Sequence, residues 1–231
     1  MACARNMGAD VRLQRVGIAA ALLLTATVAG AVDVTFCGQT LPVGATGELV
    51  TDLDCSLAYG SYAVVLSKGA KLRLNGFTLS SSANGVHCLG RCKVFGPGTI
   101  ARTEPSCDET SAIDTYGVFA DDKVKLTDVI LTSWGYATWA SGRLRAAGVT
   151  VSGHCLGLAG NVARITVRDS TITDNFGFGV AGAGPVTVSG SDVTGNFIDI
   201  VALKRLRVQN STCATTGGGP GSPPDTWDVC P

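Results

Sequence analysis

The chain has 231 residues, enough for one sizeable domain, and it is apolar and glycine-rich, with 30 Gly. Lys and Arg number 18 and Asp and Glu number 18, so the formal net charge at pH 7 is zero. That balance asks for no nucleic acid, and a hydrophobic share of 45% rules against a disordered chain.

Taken in order, the chain begins with Arg12 and Arg15 ahead of the apolar run VGIAAALLLTATV, Val16 to Val28, followed by the small residues Ala29 to Ala31. A positive start, a short apolar core and a small-residue exit read as a signal peptide over 1–31, cleaved before Val32. The run is too short to span a bilayer comfortably, and no later segment is long enough, so the mature form is expected to have no membrane span. Its expected location is secreted, periplasmic or at the cell surface. Losing the segment removes Cys3 and leaves eight cysteines, at 37, 55, 88, 92, 107, 155, 213 and 230. An even number in an exported chain reads as a disulfide framework. Nearest neighbours give Cys37–Cys55, Cys88–Cys92 and Cys213–Cys230, which leaves Cys107–Cys155. The spacing of CLGRC, Cys88 to Cys92, also suits a zinc ribbon, but only 2 His are present and no second close pair follows.

From Lys71 onward one pattern returns: KLRLNGFTL, KVKLTDVIL, RLRAAGVTV, RITVRDSTI, PVTVSGSDV and RLRVQNSTC. Aligned on the first inward apolar residue, the repeats start at Leu72, Cys92, Val124, Leu144, Ile165, Val186 and Leu206, spaced 20, 32, 20, 21, 21 and 20 apart. A short fixed period dictates the architecture before any local detail. Two places on stand Leu74, Val94, Leu126, Ala146, Val167, Val188 and Val208. Seven places on stand Leu79, Leu131, Val151, Ile172, Val193 and Cys213, with Ile100 shifted by one. Alternation, a break and one more apolar anchor mean a short strand, a bend and another strand. The bend column reads Gly76, Gly96, Asp128, Gly148, Asp169, Gly190, Asn210. Gly, Asp and Asn are the residues that accept a left-handed backbone at low cost. A further strand follows about fourteen places on, with Val86, Thr138, Leu158, Gly179 and Ile200. Before it runs a column of Trp134, His154, Asn175 and Asn196, where stacked Asn can hydrogen-bond along the stack.

Three short strands per coil, stacked in one orientation, make an all-β, single-stranded parallel β-helix of about seven coils, with roughly 20–21 residues per coil. At about 4.8 Å per coil the rod is roughly 34 Å long. The rhythm of RITVRDSTITDN and VTVSGSDVTGN, together with CGQTL and GELVTDLDCS between Cys37 and Ser56, resembles the right-handed parallel β-helix repeat of the pectin-lyase-like superfamily over residues 35–213. That resemblance implies the fold. It does not imply one activity, because the superfamily holds lyases, hydrolases and proteins without known chemistry. The expected organisation is a cap at 32–60, a β-helix at 61–213 with an insertion at about 101–117, and a loop-like tail at 214–231 stapled by Cys230.

The residues flanking the first anchor are predominantly basic. One place before it stand Lys71, Arg91, Lys123, Arg143, Arg164, Pro185 and Arg205; one place after stand Arg73, Lys93, Lys125, Arg145, Thr166, Thr187 and Arg207. A period of two puts both columns on one outward face. Like charges stacked at strand spacing repel, so the face reads as a binding surface for a polyanion, such as an acidic polysaccharide or a cell-envelope polymer. The bland alternative is that these cations serve solubility, or that the acids of the insertion neutralise them. Glu104, Asp108, Glu109, Asp114, Asp121 and Asp122 fall together there, and Asp108, Glu109, Asp114, Asp121 and Asp122 are also the carboxylates a Ca²⁺ ion would use.

For catalysis, the resemblance to pectate lyases implies a basic residue beside Ca²⁺-bound carboxylates, and Arg143 or Arg145 with Asp121 and Asp122 is the available set. Resemblance to polygalacturonases implies paired carboxylates flanking one bond. Here the order of IDT, DD, GHC and RIT is kept but the spacing fails, with Asp122 and His154 about one and a half coils apart. His154 falls in the Asn column and is expected to be structural; His87 has no acid near it in sequence. Connections are short, leaving little wall for a deep cleft. The expectation is an exported β-helix that binds an acidic polymer without cleaving it. A small polysaccharide lyase or hydrolase is the second reading, and a purely structural module the third. No cofactor is expected beyond a possible Ca²⁺.

Overall fold

The computed structural model describes residues 30–57, 61–104, 107, 114–161 and 164–214, with the backbone of 228–229. They form a parallel β-solenoid of about eight turns with no helix among the described residues, one turn more than the repeat count. Three sheets of nine, eight and nine strands run the length of the rod. The coil at its middle shows the plan. Val124–Thr127 lies in sheet 1, Ile130–Thr132 in sheet 2 and Tyr136–Ala140 in sheet 3, each paired in parallel with the strand above and below. The segment expected as a cap contributes strands to all three sheets, at Thr46–Leu49, Leu53–Cys55 and Gln39–Leu41. At the other end Asp228–Val229 pairs antiparallel with Ile198–Ala202, covering the last edge of sheet 3.

Inward columns fill the core. Leu79, Ile100, Leu131, Val151, Ile172 and Val193 pair in register down sheet 2, and all are fully buried. Burying each such side chain stabilises by about 1.5–3 kcal/mol. The bends turn through left-handed residues, with positive φ at Asp128, Gly148, Asp169, Gly190 and Asn210. Asp and Gly alternate there because the Asp carboxylate lies over the next bend. A Cβ on Gly190 would meet Asp169 Oδ1 at 2.5 Å, and one on Gly148 would collide with Asp128 Oδ1. Gly96 is the exception to the expected column, since its bend runs through a cis Gly96–Pro97 peptide and its φ is not positive.

Two corrections to the register matter. Leu72 pairs with Val94, not with Cys92, and Lys71 pairs with Lys93. The inward neighbour of Cys92 is Ala70, fully buried but too small to stand out as an anchor, so that coil has 22 residues rather than 20. In sheet 3 the partner of Leu158 is Val180 rather than Gly179, and Val118 joins the same column. The coil there carries one residue more before its third strand.

Buried polar ladders lock the corners. The amide of Trp134 donates to His154 Nδ1 (2.9 Å), that of His154 to Asn175 Oδ1 (3.1 Å), that of Asn175 to Asn196 Oδ1 (3.1 Å) and that of Asn196 to Asp199 Oδ1 (3.1 Å). Asp199 ends the series and accepts from the Ala214 amide at 2.7 Å. A serine series at the sheet 1–sheet 2 bend does the same, with Ser170, Ser191 and Ser211 each accepting an amide from the coil before. Disulfides join Cys37 to Cys55, Cys88 to Cys92 and Cys107 to Cys155. Cys213 is also disulfide-bonded, and Cys230 lies outside the described residues. Three such bonds belong to an oxidising environment.

Candidate functional site

The outer face of sheet 1 carries a central column: Lys71, Lys93, Lys125, Arg145, Thr166, Thr187, Arg207. The 22-residue coil moves Arg73 out of it. Arg73 instead stands in a parallel column beside Phe95, and its guanidinium reaches Glu48 at 3.7 Å. The same parallel column brings in Arg168, paired with Ala147 and Ser189, which repeat counting had left out. Arg91, Lys123, Arg143, Arg164 and Arg205 flank the central column at the strand entrances. Lys125 Nζ sits 5.9 Å from the centre of the Phe95 ring.

Four consecutive cations, Lys71 to Arg145, stand about 4.8 Å apart along this column. At that spacing unit charges repel by about 1 kcal/mol even in water. Among the described residues, the ion pairs made by Lys or Arg are Arg73–Glu48 and Lys123–Asp122 at 3.9 Å. The remaining cations of the face meet no described carboxylate within ion-pair distance.

Toward the C-terminal end the column gives way to two threonines, and a depression of about 650 Å³ opens over them. Lys125 and Arg145 stand at one end and Arg205 and Arg207 at the other, with Arg164 and Arg168 on opposite sides of Thr166. Thr166, Thr187, Ala147 and Pro185 make the floor. Among the described residues no carboxylate and no histidine lines it. The chemistry this arrangement offers is anion recognition, with guanidinium groups supplying paired donors in a plane.

The acidic insertion does not spring from this face. It leaves sheet 2 after Thr99–Arg102 and enters sheet 3 at Tyr116–Ala120, and Cys107 ties it to Cys155 at that same corner. Of the carboxylates expected to act together, Asp108 and Glu109 lie outside the described residues. Asp121 Oδ1 is 3.2 Å from His87 Nε2, and Asp122 turns to Lys123. Neither forms an ion pair with Arg143 or Arg145 among the described residues, and no three His, Cys, Asp or Glu side chains there come close enough to hold a metal.

His154 is buried inside the corner ladder. Its Nδ1 accepts from Trp134, so its Nε2 carries the proton and donates to the Leu131 carbonyl at 2.9 Å. Burial pushes its pKa down to about 4, with the hydrogen bond to the Leu131 carbonyl offsetting part of the effect. His87 does have an acid partner, supplied across the sheet rather than along the chain, because His87 pairs with Phe119 and Asp121 follows two residues later. His87 also stacks on Tyr62 (4.5 Å), and ring contacts continue through Phe119, Tyr116 and Tyr136 to Trp139. These rings pack chiefly on one another along the rod. Burial raises the Tyr62 and Tyr136 hydroxyl pKa values, with Asp121 and Asp114 adding to the effect.

No protein-family model, no curated protein and no solved structure matches this chain.

Proposed function

We propose that this is an exported solenoid that binds an acidic polysaccharide or similar polyanion through the outer face of sheet 1, without cleaving it. The observation that carries the reading is a stack of cations that, among the described residues, has no acid partners and runs into a depression that no described carboxylate lines. Such a stack costs stability in the free protein, and an anionic chain laid along it removes the repulsion. Hydrolysis by a carboxylate pair would need two acids flanking the ligand, and the described lining residues include none. Export rests on the signal-like start and on the disulfides. The repeat rhythm supports placement near the pectin-lyase-like superfamily, as a binding member of that group.

The test is binding of the purified mature protein to neutral, uronic and sulfated polysaccharides at low and high salt, while following the absorbance of unsaturated uronates. The expected result is salt-sensitive binding to the anionic chains alone, with no new absorbance. Binding to none of them leaves a structural rod, and rising absorbance replaces binding with lyase action.

A further inference from the structure

We infer that the depression on sheet 1 is a discrete site for sulfate or phosphate esters carried on a sugar or polyol, in preference to uronate carboxylates. This rests on the polyanion reading and adds to it the class of anion.

The cations there are placed differently from those nearer the N-terminus. From Lys71 to Arg145 they form a single line, which suits any chain of negative charge. Around Thr166 and Thr187 they form a rim. Arg145 and Arg207 close the two ends of the column, Arg164 and Arg205 stand on one side, and Arg168 on the other. These five arginines are all exposed, and Lys125, beyond Arg145 at the same end, is the one lysine among the described lining residues. A carboxylate has two oxygens in one plane, and a single guanidinium fork fills them. A sulfate or phosphate ester has three terminal oxygens spread in a cone, so it accepts forks from several directions at once. Arginines set around the two threonines, rather than in one line, match the second shape. The threonine hydroxyls on the floor add short neutral donors where further cations would only repel one another. The length of the basin, three coil steps or about 14 Å from Arg145 to Arg207, gives room for more than one ester group. Pro185 keeps one flank low, where an arginine would otherwise fill the space.

Arginine and lysine carry the same charge but not the same donors, which makes the inference testable apart from general electrostatics. Three probes matched in length and charge are titrated calorimetrically into the mature protein: a sulfated oligosaccharide, an oligogalacturonate and an oligosaccharide bearing phosphate monoesters. Each titration is repeated with Arg168→Lys, Arg207→Lys and Lys93→Gln. Arg168 and Arg207 are exposed, and unchanged melting curves establish that the variants fold. The expected result is that one or both ester probes bind about tenfold tighter than the uronate, the worth of one charged hydrogen bond. Arg168→Lys then removes about that factor for the esters and less than twofold for the uronate. Lys93→Gln, outside the basin, weakens all three alike. A preference for the sulfated or the phosphate probe assigns the source of the ester. Equal affinity for all three probes with no effect of Arg168→Lys overturns this inference while leaving polyanion binding intact. Failure of every probe to bind overturns both.

Discussion

Two columns of polar side chains climb this solenoid, and they obey opposite rules. Inside the sheet 2–sheet 3 corner, Trp134, His154, Asn175, Asn196 and Asp199 hand hydrogen bonds from coil to coil in a buried environment. On the outside of sheet 1, Lys71, Lys93, Lys125 and Arg145 stack charge on like charge. In the first column every repeat supplies a donor where its neighbour has an acceptor, so stacking reinforces the fold. In the second every repeat supplies only donors, so stacking opposes it. A repeat protein amplifies whatever its unit carries. The inner column is explained by stability alone. The outer one is not explained by stability, and the proposed anionic ligand would account for it.

Breaking the inner column should give the largest effect. Asn196 accepts from the Asn175 amide and side chain and donates to the Ile172 and Thr194 carbonyls and to Asp199. Asn196→Ala leaves several buried groups without partners, each costing about 1–3 kcal/mol, with water recovering part. The expected loss is about 3–5 kcal/mol in urea unfolding followed by circular dichroism, and a loss below about 1 kcal/mol would show that the ladder is dispensable.

The next effect is a pH dependence. His154 is neutral in the fold with a pKa of about 4, against 6.5 for an exposed imidazole. Between those values the unfolded chain binds the proton and the folded chain does not, so stability rises with pH through that window. The contribution is complete above about pH 6.5 and falls as the pH drops toward 4, by roughly 3 kcal/mol at most. His154→Asn should abolish this part of the slope. Calorimetric melting of both proteins across pH 4–7 checks it, and parallel slopes would remove His154 from the account.

How far these two columns were legible in the sequence follows from their chemistry. The inner column was visible because Asn, His and Trp are rare in the inward rhythm and recur one coil apart. Its terminator was not, since Asp199 stands opposite Gly179, at a position where the coils before it carry Gly or Ala, three residues past Asn196. The outer column was visible as a run of Lys and Arg at alternate positions. Its register was not, because the coil that sets Arg73 aside is anchored by Ala70, and a small buried residue leaves little trace in a hydrophobic pattern. The difference between a line of cations and a rim was hidden separately, since Arg168 lies three places after the Ile165 anchor, outside the two columns counted from the sequence. The His87–Asp121 pair was hidden for another reason: the partners lie 34 residues apart, and only the pairing of their strands, with the insertion looped out, brings them together.

The smallest effect sharpens the comparison most, because it has the opposite sign. The protein itself places threonine at two positions of the outer column, Thr166 and Thr187, in unbroken register with Lys125 and Arg145. Lys125→Thr therefore introduces a residue the column already accommodates, and one that favours strands. It relieves the contacts of Lys125 with Lys93 on one side and Arg145 on the other. If the outer column is held against its own repulsion, the variant gains about 0.2–1 kcal/mol in urea unfolding at low ionic strength, less at high salt where the repulsion is already screened. It should also bind anionic polysaccharide more weakly. Stability up and affinity down from one exposed substitution is the signature of a surface kept for a ligand. A variant that loses stability would instead mean that the Lys125 side chain, lying near the Phe95 ring, earns its position by packing, and the case for a functional cation stack would then rest on the basin alone.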